Sequence, residues 1–396
     1  MNAITKEPSL LSLIVLSAFA SMGAIIVTPG IPSMASFFGV KLGTAQLTMT
    51  AFLLGYALGQ LIYGPIANRL GRKPAFYIGI SVATLGSLFS ILAAPVDSFS
   101  LLMLGRIFEA LGSSVGLVVC FTIINDFYLP ENIRKITGIL MIAFAIVPGV
   151  AIAVGGFFVQ HFGWQSCFYV LLAYGLALFG FAFYLPETLK QKDLNALRHT
   201  YLVKNYLKMF RIKKLVAFSL LAGLSGGCLY IFSAEGPYIG TQMLGFSASA
   251  YGLLALMPYI GTVIGSILLI KTTKIDPMKV ITFAMILEII GALTMFFSFI
   301  FQIVDLFTLF APAGLIFAGN VMVYGTAATM GISQSEDKAN ASAVVNFLTL
   351  GMAMLSTFVF GILHISSPWI MPTLFLVALI LMQMLYFGVL RQKVEK

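Results

Sequence analysis

Long apolar runs recur along the chain, each of about 20 residues or more and each separated from the next by polar residues. A backbone inside a bilayer must satisfy its own hydrogen bonds, so only helices and closed barrels cross it. The alternating pattern typical of barrel strands does not occur here. The runs therefore predict an all-α membrane protein with twelve transmembrane helices. The predicted helices lie near residues 9–38, 45–66, 74–94, 98–125, 134–158, 164–185, 214–243, 249–270, 277–301, 306–331, 338–363 and 368–390.

The composition excludes a soluble globular protein. Hydrophobic residues make up 60% of the chain and charged residues 9%, whereas soluble domains carry about a quarter charged residues. The three cysteines lie inside apolar runs and are interpreted as packing residues, and the three histidines are isolated, so no metal site and no cofactor are predicted. The cysteines are Cys120, Cys167 and Cys228, and the histidines are His161, His199 and His364.

Charge placement predicts the domain organisation and the topology. Residues 186–213 form the longest polar stretch and predict a basic linker between two six-helix bundles, residues 1–185 and 214–396. The net charge of +9 is scattered over loops, which favours a topological role over nucleic-acid binding. Under the positive-inside rule, both termini are predicted to be cytoplasmic, because the opposite loops carry Lys41 alone. The cations of the even-numbered connections outside the linker are Arg69, Arg72, Lys73, Arg134, Lys135, Lys271, Lys274, Lys279 and Lys338.

A short polar stretch between the second and third apolar runs is the most specific motif. Three cations fall within five residues, and Gly71 supplies turn chemistry, which predicts a tight loop outside the hydrocarbon. The stretch resembles G-x-x-x-D-R-x-G-R-[RK], a signature of the major facilitator superfamily, with Asn68 in place of the usual Asp. The resemblance implies two pseudo-symmetric six-helix bundles, with a substrate site between them near the bilayer midplane.

The same resemblance implies a cytoplasmic latch. Asp126 is expected to pair with Arg72, and the loop is expected to cap a helix of the second bundle near residues 339–343. With Asn68 in place of a carboxylate, an interaction with a helix N-terminus worth about 0.3–1 kcal/mol is lost, which predicts a weaker latch. The predicted latch residues are Gly64, Asn68, Arg69, Gly71, Arg72 and Asp126.

Two charged residues in the fourth apolar run are the main candidates for proton coupling. Arg106 and Glu109 are three positions apart and share a helix face, and Glu109 lies about 16 Å into the span. The segment resembles the superfamily motif R-x-x-Q-x-x-G, in which the Arg is implicated in proton coupling. Burial disfavours an ionised Glu109 whereas Arg106 favours it, so the pair is either a proton-dependent switch or a permanent ion pair.

The fifth run contains a proline and closely spaced small residues. Pro148, Ala151, Gly155 and Gly156 resemble the antiporter motif P-x-x-A-P-x-x-G-G, with Ile152 in place of the second proline. The resemblance implies close approach of helices from the two bundles. Glycine-mediated packing of the kind found in many membrane helices is the alternative, and the missing proline weakens the antiport assignment.

Other features resemble the bicyclomycin and chloramphenicol resistance branch of drug exporters. These are residues 51–65, the Pro29 and Pro32 pair, and residues 339–343. That branch commonly has an Asp before the first-helix prolines, where this chain has residues 24–28 without an acid. Two other acids lie inside apolar runs. Glu235 is interpreted as an outer gate, a cation contact or a solvated helix end, and Glu288 as a partner in an interhelical hydrogen bond.

Polar and aromatic side chains at mid-span positions form the predicted substrate cavity. Amides can orient a ligand, and tyrosines offer an apolar body with a polar tip. The predicted cavity residues are Tyr56, Gln60, Arg106, Glu109, Tyr230, Glu235, Tyr259, Asn320, Tyr324 and Asn346.

Together these features predict a monomeric bacterial inner-membrane transporter that exports lipophilic or amphipathic small molecules in exchange for protons. No nucleotide-binding loop G-x-x-x-x-G-K-[ST] occurs, so ATP is not the predicted driver. The alternative is a dedicated carrier of one metabolite, such as a siderophore or a peptide-like compound, acting as an importer or a facilitated carrier. A non-transporting receptor is a further reading, and no catalytic residues are predicted.

Overall fold

A computed structural model describes residues 7–363 and 367–391, without the side chains at positions 130–135, 137–139, 141–145, 199 and 201. Over these residues the chain forms thirteen helices and no strand. The helices are α1 (Leu10–Phe37), α2 (Leu42–Leu70), α3 (Arg72–Leu92), α4 (Phe99–Phe127), α5 (Pro130–Phe162), α6 (Gln165–Phe183), α7 (His199–Phe210), α8 (Lys213–Met243), α9 (Ala248–Lys271), α10 (Pro277–Ile300), α11 (Leu306–Ser333), α12 (Lys338–Leu363) and α13 (Ile370–Leu390).

The helices match the predicted spans closely. Within the described residues, eleven helices are long and apolar enough to cross a membrane. In α5 the apolar segment among the described side chains is shorter, Ile146–Phe162. Several helices extend past their apolar runs by a few residues. The extended helix α2 ends before Gly71, and α5 begins at Pro130 and ends before Gly163. The all-helical fold class is therefore confirmed.

Prolines and local turns interrupt several spans. In α1, Pro29 lies in a short 3-10 turn, Thr28–Gly30, between two α-helical segments. In α8, Pro237 lies inside the helix, and the chain then passes into a π-helical turn at Ile239–Met243. A proline lacks the backbone N–H that would continue the ladder, so helices kink or change winding beside it. Both breaks fall toward the same end of the bundle, the predicted outer end.

The linker contains a helix that the sequence analysis did not predict. In α7, the Tyr206 hydroxyl donates to the Leu61 carbonyl oxygen of α2 at 2.8 Å. Burial, together with the Asp337 carboxylate, raises the pKa of Tyr206 to about 12, so the hydroxyl keeps the proton that it donates. Met209 of α7 packs with Val344 and other apolar residues of α12. The linker helix thus contacts both α2 and α12.

Small residues bring α3 and α4 into close contact. A Cβ at Gly112 would overlap the backbone of Ala83 and Gly79, and one at Gly86 would overlap the backbone of Glu109. The equivalent pair in the second bundle, α10 and α11, is packed in the same manner, with Gly291 against the Pro312 carbonyl oxygen. Helices in lipid associate through such close packing, because the hydrophobic effect gives no advantage to one apolar surface over another.

The α3–α4 contact predicts a specific sensitivity. Gly112→Ala places a methyl group against the α3 backbone, and we expect it to destabilise the protein by about 1–3 kcal/mol through overpacking. Gly226→Ala in α8 is the control, because a Cβ there meets no atom within 4 Å. Thermal unfolding in detergent measures both variants. A melting temperature for Gly112→Ala equal to that of Gly226→Ala would contradict the close contact.

Candidate functional site

Arg106 and Glu109 form an ion pair in the interior of the first bundle, α1–α6. The Arg106 Nη1 donates to both Glu109 carboxylate oxygens at 3.0 Å and to the Gly23 carbonyl oxygen of α1, also at 3.0 Å. Both side chains are 0% exposed. The (i, i+3) spacing places the two groups on one face of α4, so their contact follows directly from the sequence.

Aromatic rings surround the Arg106 guanidinium. Its central carbon lies 4.4 Å from the ring centroid of Phe52 in α2 and 5.9 Å from that of Phe168 in α6. A cation over a ring face is attracted by the ring quadrupole, which offsets part of the cost of burial. Among the described residues, the Arg106 Nε and Nη2 atoms have no hydrogen-bond partner. The guanidinium therefore retains donors that a substrate or a water molecule could occupy.

Predicted cavity tyrosines from both bundles come together near mid-span. The Tyr56 hydroxyl of α2 lies close enough to those of Tyr230 in α8 and Tyr324 in α11 to interact with them electrostatically. Tyr259 of α9 is in turn close to Tyr230. All four side chains are buried or half-buried. This tyrosine cluster spans the boundary between the bundles and combines apolar surface with hydroxyl groups.

Two predicted amides meet beside this cluster. The Asn346 Nδ2 of α12 donates to the Gln60 Oε1 of α2 at 3.4 Å. The Gln60 Nε2 is buried and has no partner in the described part of the chain. Asn320 does not join them: its Nδ2 donates to the Ser225 hydroxyl in the interior of the second bundle, α8–α13.

Glu235 contacts the first bundle at the predicted outer end. The Gln46 Nε2 of α2 donates to the Glu235 Oε2 of α8, and both side chains are buried. Nearby, the Thr50 hydroxyl of α2 donates to that of Thr357 in α12 at 3.0 Å. The sequence analysis missed Gln46, Thr50 and Thr357. Polar side chains within apolar runs indicate that a partner exists. The partners here lie far away in the chain, so the sequence did not identify them.

The predicted antiporter residues bring α5 against two other helices. A Cβ at Gly155 would overlap the Ile26 carbonyl oxygen of α1, and one at Gly156 would overlap the Ala248 carbonyl oxygen of α9. Ala151 is buried, and Pro148 is half-buried within the helix. Gly156 thus lies at a contact between the two bundles, whereas Gly155 packs within the first.

The latch residues surround the Arg72 guanidinium. Its Nε lies 3.0 Å from the Asp126 Oδ2, and its Nη1 donates to the Ala67 carbonyl oxygen at 2.8 Å and to the Asn68 Oδ1 at 2.9 Å. Arg72 is 5% exposed. Asn68 therefore fills the expected place of the family's Asp and contacts the same guanidinium, but without a negative charge.

Two residues that the sequence analysis missed complete this cluster. The Glu187 carboxylate accepts the backbone N–H groups of Arg72 at 3.0 Å and Lys73 at 3.1 Å, which satisfies the start of α3. Thr188 donates to the Asp126 Oδ2 at 2.8 Å. Gly71 has φ +122°, a conformation that side-chain-bearing residues rarely adopt.

The structure differs from the expectation that this loop caps residues 339–343. The first turn of α12 is capped by Asp337, whose Oδ1 accepts the Asn340 N–H at 3.1 Å. Gly64 has open space around it, and no hydrogen bond or ion pair within the described chain involves the Arg69 side chain. The described latch contacts therefore join α2, α3, α4 and the segment after α6.

No group of three or more metal-ligating side chains occurs among the residues that the structure describes. The three cysteines are separate and buried. His161 contacts its own helix, and His364 and the His199 side chain lie outside the described part, as do the side chains of Arg134 and Lys135.

The geometry defines a polytopic helical protein whose polar groups converge between two bundles, an architecture typical of transporters. A family model described as "Major Facilitator Superfamily" matches residues 13–357, and the chain belongs to this family. Multidrug resistance protein D of Escherichia coli is 28% identical over 80% of this chain and 78% of its own length. The bicyclomycin resistance protein homolog of Haemophilus influenzae is 25% identical over 72% and 71%, and the chloramphenicol resistance protein of Pseudomonas aeruginosa is 25% identical over 88% and 83%.

Solved structures show the same fold. A D-xylose-proton symporter superposes with a TM-score of 0.75 over 94% of this chain and 96% of its own, at 14% identity. A nucleoside transporter superposes with a TM-score of 0.71 over 96% and 98%, at 15% identity. The expected major facilitator fold is confirmed, and the named relatives agree with the expected resemblance to the drug-exporter branch.

The contact between Asn68 and Arg72 predicts how stability changes when the family's usual Asp is placed at position 68. We expect Asn68→Asp to raise the melting temperature, since a charged acceptor strengthens the hydrogen bond by about 0.5–1 kcal/mol at this exposed position. In an Arg72→Gln background the same change should be destabilising, because the new carboxylate then faces Asp126 without a cation. Thermal unfolding of the four proteins measures both effects. An equal effect in the two backgrounds would contradict the assigned contact.

Proposed function

We propose that this protein exports lipophilic or amphipathic small molecules in exchange for protons by alternating access. The chain is a major facilitator transporter, and relatives that cover most of it are named for bicyclomycin, chloramphenicol and multidrug resistance. We further propose a bacterial inner-membrane location, cytoplasmic termini, a monomeric state, and two bundles at residues 1–185 and 214–396 joined by the linker 186–213.

The tyrosine cluster between the bundles is the observation that carries the substrate assignment. Tyr56, Tyr230 and Tyr324 come from three helices and offer aromatic surface and hydroxyl groups without a formal charge. Such a surface suits ligands that are largely apolar with a few polar groups. The Gln60 and Asn346 amides lie at one side of the cluster and supply orienting hydrogen bonds.

Arg106 and Glu109 are the proposed coupling pair. While Glu109 is ionised, the pair carries no net charge in its fully buried site. A proton on Glu109 would leave the Arg106 charge uncompensated, which is costly in a low-dielectric interior. We therefore infer that protonation of Glu109 must accompany a rearrangement that brings water or substrate to the free Arg106 donors, and this requirement links proton movement to transport.

The driving force is sufficient for export of a neutral substrate. One proton that enters down a potential of 100 mV releases about 2.3 kcal/mol. At about 1.4 kcal/mol per tenfold ratio, this energy sustains a concentration gradient of about 40-fold.

Glu109→Gln tests the coupling. In liposomes with an internal pH dye and an imposed gradient, we expect lipophilic cations or neutral drugs to elicit proton flux in the wild type but not in Glu109→Gln, because the amide cannot exchange a proton. Asp97→Asn is the control, since Asp97 is an exposed loop residue and asparagine accepts its backbone geometry, φ +47°. Substrate transport that proceeds unchanged without proton movement would leave a facilitated carrier.

A cross-link at the predicted outer end tests alternating access. The Thr50 and Thr357 hydroxyl oxygens lie 3.0 Å apart across the two bundles. In a variant whose native cysteines are replaced by alanine, we expect Thr50→Cys with Thr357→Cys to form a disulfide and to stop transport, and we expect reduction to restore it. Each single cysteine variant under the same oxidant is the control. Full transport by the cross-linked protein would show that this contact need not open.

A dedicated metabolite carrier is the second candidate, and one observation favours it. The exporter branch commonly has an acid just before the prolines of the first helix, and this chain has none there. The position beside Pro29 is held by Thr28, whose hydroxyl donates to the Ile25 carbonyl oxygen at 2.9 Å. Competition among drugs, siderophores and peptide-like compounds distinguishes the two candidates. Many competing compounds support the exporter, whereas inhibition by a single compound supports the carrier.

A further inference from the structure

The second bundle contains a buried acid with an arrangement unlike that of Glu109. The Ser225 hydroxyl of α8 donates to the Glu288 Oε1 of α10 at 2.5 Å, and the Asn320 Nδ2 of α11 donates to the Ser225 oxygen at 2.9 Å. Glu288 is 1% exposed, and its Oε2 has no hydrogen-bond partner among the described residues. The hydrogen bonds thus run in one direction, from Asn320 through Ser225 to the carboxyl group.

No cation neutralises this acid within the described residues. The two ion pairs found there involve Asp126 and Glu109. Lys279, on the same helix as Glu288, is nine residues away and therefore about 13 Å along the axis. Cys228 of α8 is the titratable group that faces Glu288, and its thiol donates to the Leu224 carbonyl oxygen of its own helix at 3.6 Å. An ionised carboxylate in such a site bears its full desolvation cost with a single hydrogen bond in return.

Close packing holds the carboxyl group in place. A Cβ at Gly319 of α11 would come within 2.5 Å of the Glu288 Cγ, so the glycine leaves the room that the side chain occupies. Glu288 lies eleven residues into α10, which places it near mid-membrane depth. The side chain cannot reach a polar interface from that position.

We propose that Glu288, with Ser225 and Asn320, forms a proton-binding site in the second bundle that is separate from the Arg106–Glu109 pair. A proton adds to the carboxylate and makes it neutral, and the protonated acid is the form that the closed site holds. Release of this proton requires that the site open to water. Protonation has opposite effects at the two acids. At Glu288 it removes a buried charge, whereas at Glu109 it leaves the buried Arg106 charge without a partner.

Infrared difference spectroscopy tests the proton site directly on the purified protein. We expect the carbonyl stretch of a protonated carboxylic acid at neutral pH, its loss at alkaline pH, and the loss of one component of the band in Glu288→Gln. Glu235→Gln identifies any component from the other buried acid without a cation in the described chain, whose carboxylate accepts from Gln46. Ser225→Ala should shift the band, because the hydrogen bond to Glu288 is lost. Ser219→Ala is the matched control, since that buried serine on the same helix bonds to the Leu215 carbonyl oxygen and should leave the band unchanged.

Two spectroscopic outcomes would overturn the site. A band that is unchanged in Glu288→Gln would assign the protonated acid to another residue. A band in wild-type protein that disappears on addition of sodium chloride, but not of choline chloride, would show that the site holds a sodium ion in place of the proton.

The role of this site in coupling rests on the proton exchange proposed above. A separate measurement, the number of protons released on substrate binding, tests it. Purified protein in weak buffer should release protons when a saturating lipophilic cation is added, and Glu288→Gln should lower the number released per protein. Release unchanged in Glu288→Gln, but lost in Glu109→Gln, would reject coupling through Glu288 and keep the proposed function. Absence of release in the wild type, with the infrared band still assigned to Glu288, would reject proton exchange and keep the proton site.

Discussion

A charge that is removed from water must find its partner within the protein, and the Arg106–Glu109 pair is where this constraint acts most strongly. The guanidinium binds a carboxylate on its own helix, a carbonyl oxygen on α1 and the faces of two aromatic rings on α2 and α6. Four helices of the first bundle are thus held around one side chain. Removal of one partner from such a buried pair is typically far more costly than replacement of both.

The two bundles satisfy buried acids in different ways. The first bundle neutralises Glu109 with a cation, whereas the second, within its described residues, gives Glu288 one neutral donor, the Ser225 hydroxyl. In both bundles the acid lies at the contact between the third and fourth helices, beside a glycine that leaves room for it: Gly86 for Glu109 and Gly319 for Glu288. The helix arrangement around the buried acid is thus the same in the two bundles, but the groups that contact its carboxylate differ. Such an asymmetry gives a transporter two sites with different responses to a proton.

The sequence predicted features that depend on local spacing. Span lengths follow from apolar runs, and the Arg106–Glu109 contact follows from an (i, i+3) spacing on one helix. The Arg72–Asp126 pair was expected from the family resemblance. Contacts between residues far apart in the chain, such as Gln46 with Glu235 or Ser225 with Glu288, were not predictable, because they depend on how helices rotate and pack. Helix α7 was missed because its polar residues were read as a linker without structure.

The distribution of polar contacts has a consequence for transport. Both ion pairs in the described chain lie within the first bundle, so a movement of one bundle against the other need not separate opposite charges. The polar side-chain contacts that cross between the bundles are hydrogen bonds, such as Thr50 with Thr357 and Gln60 with Asn346. Each such bond contributes about 0.5–1.5 kcal/mol. A few of them together are comparable with the roughly 2.3 kcal/mol that one proton releases per 100 mV. These polar contacts between the bundles are therefore weak enough to open and close in each cycle, and the movement itself need not break either ion pair of the first bundle.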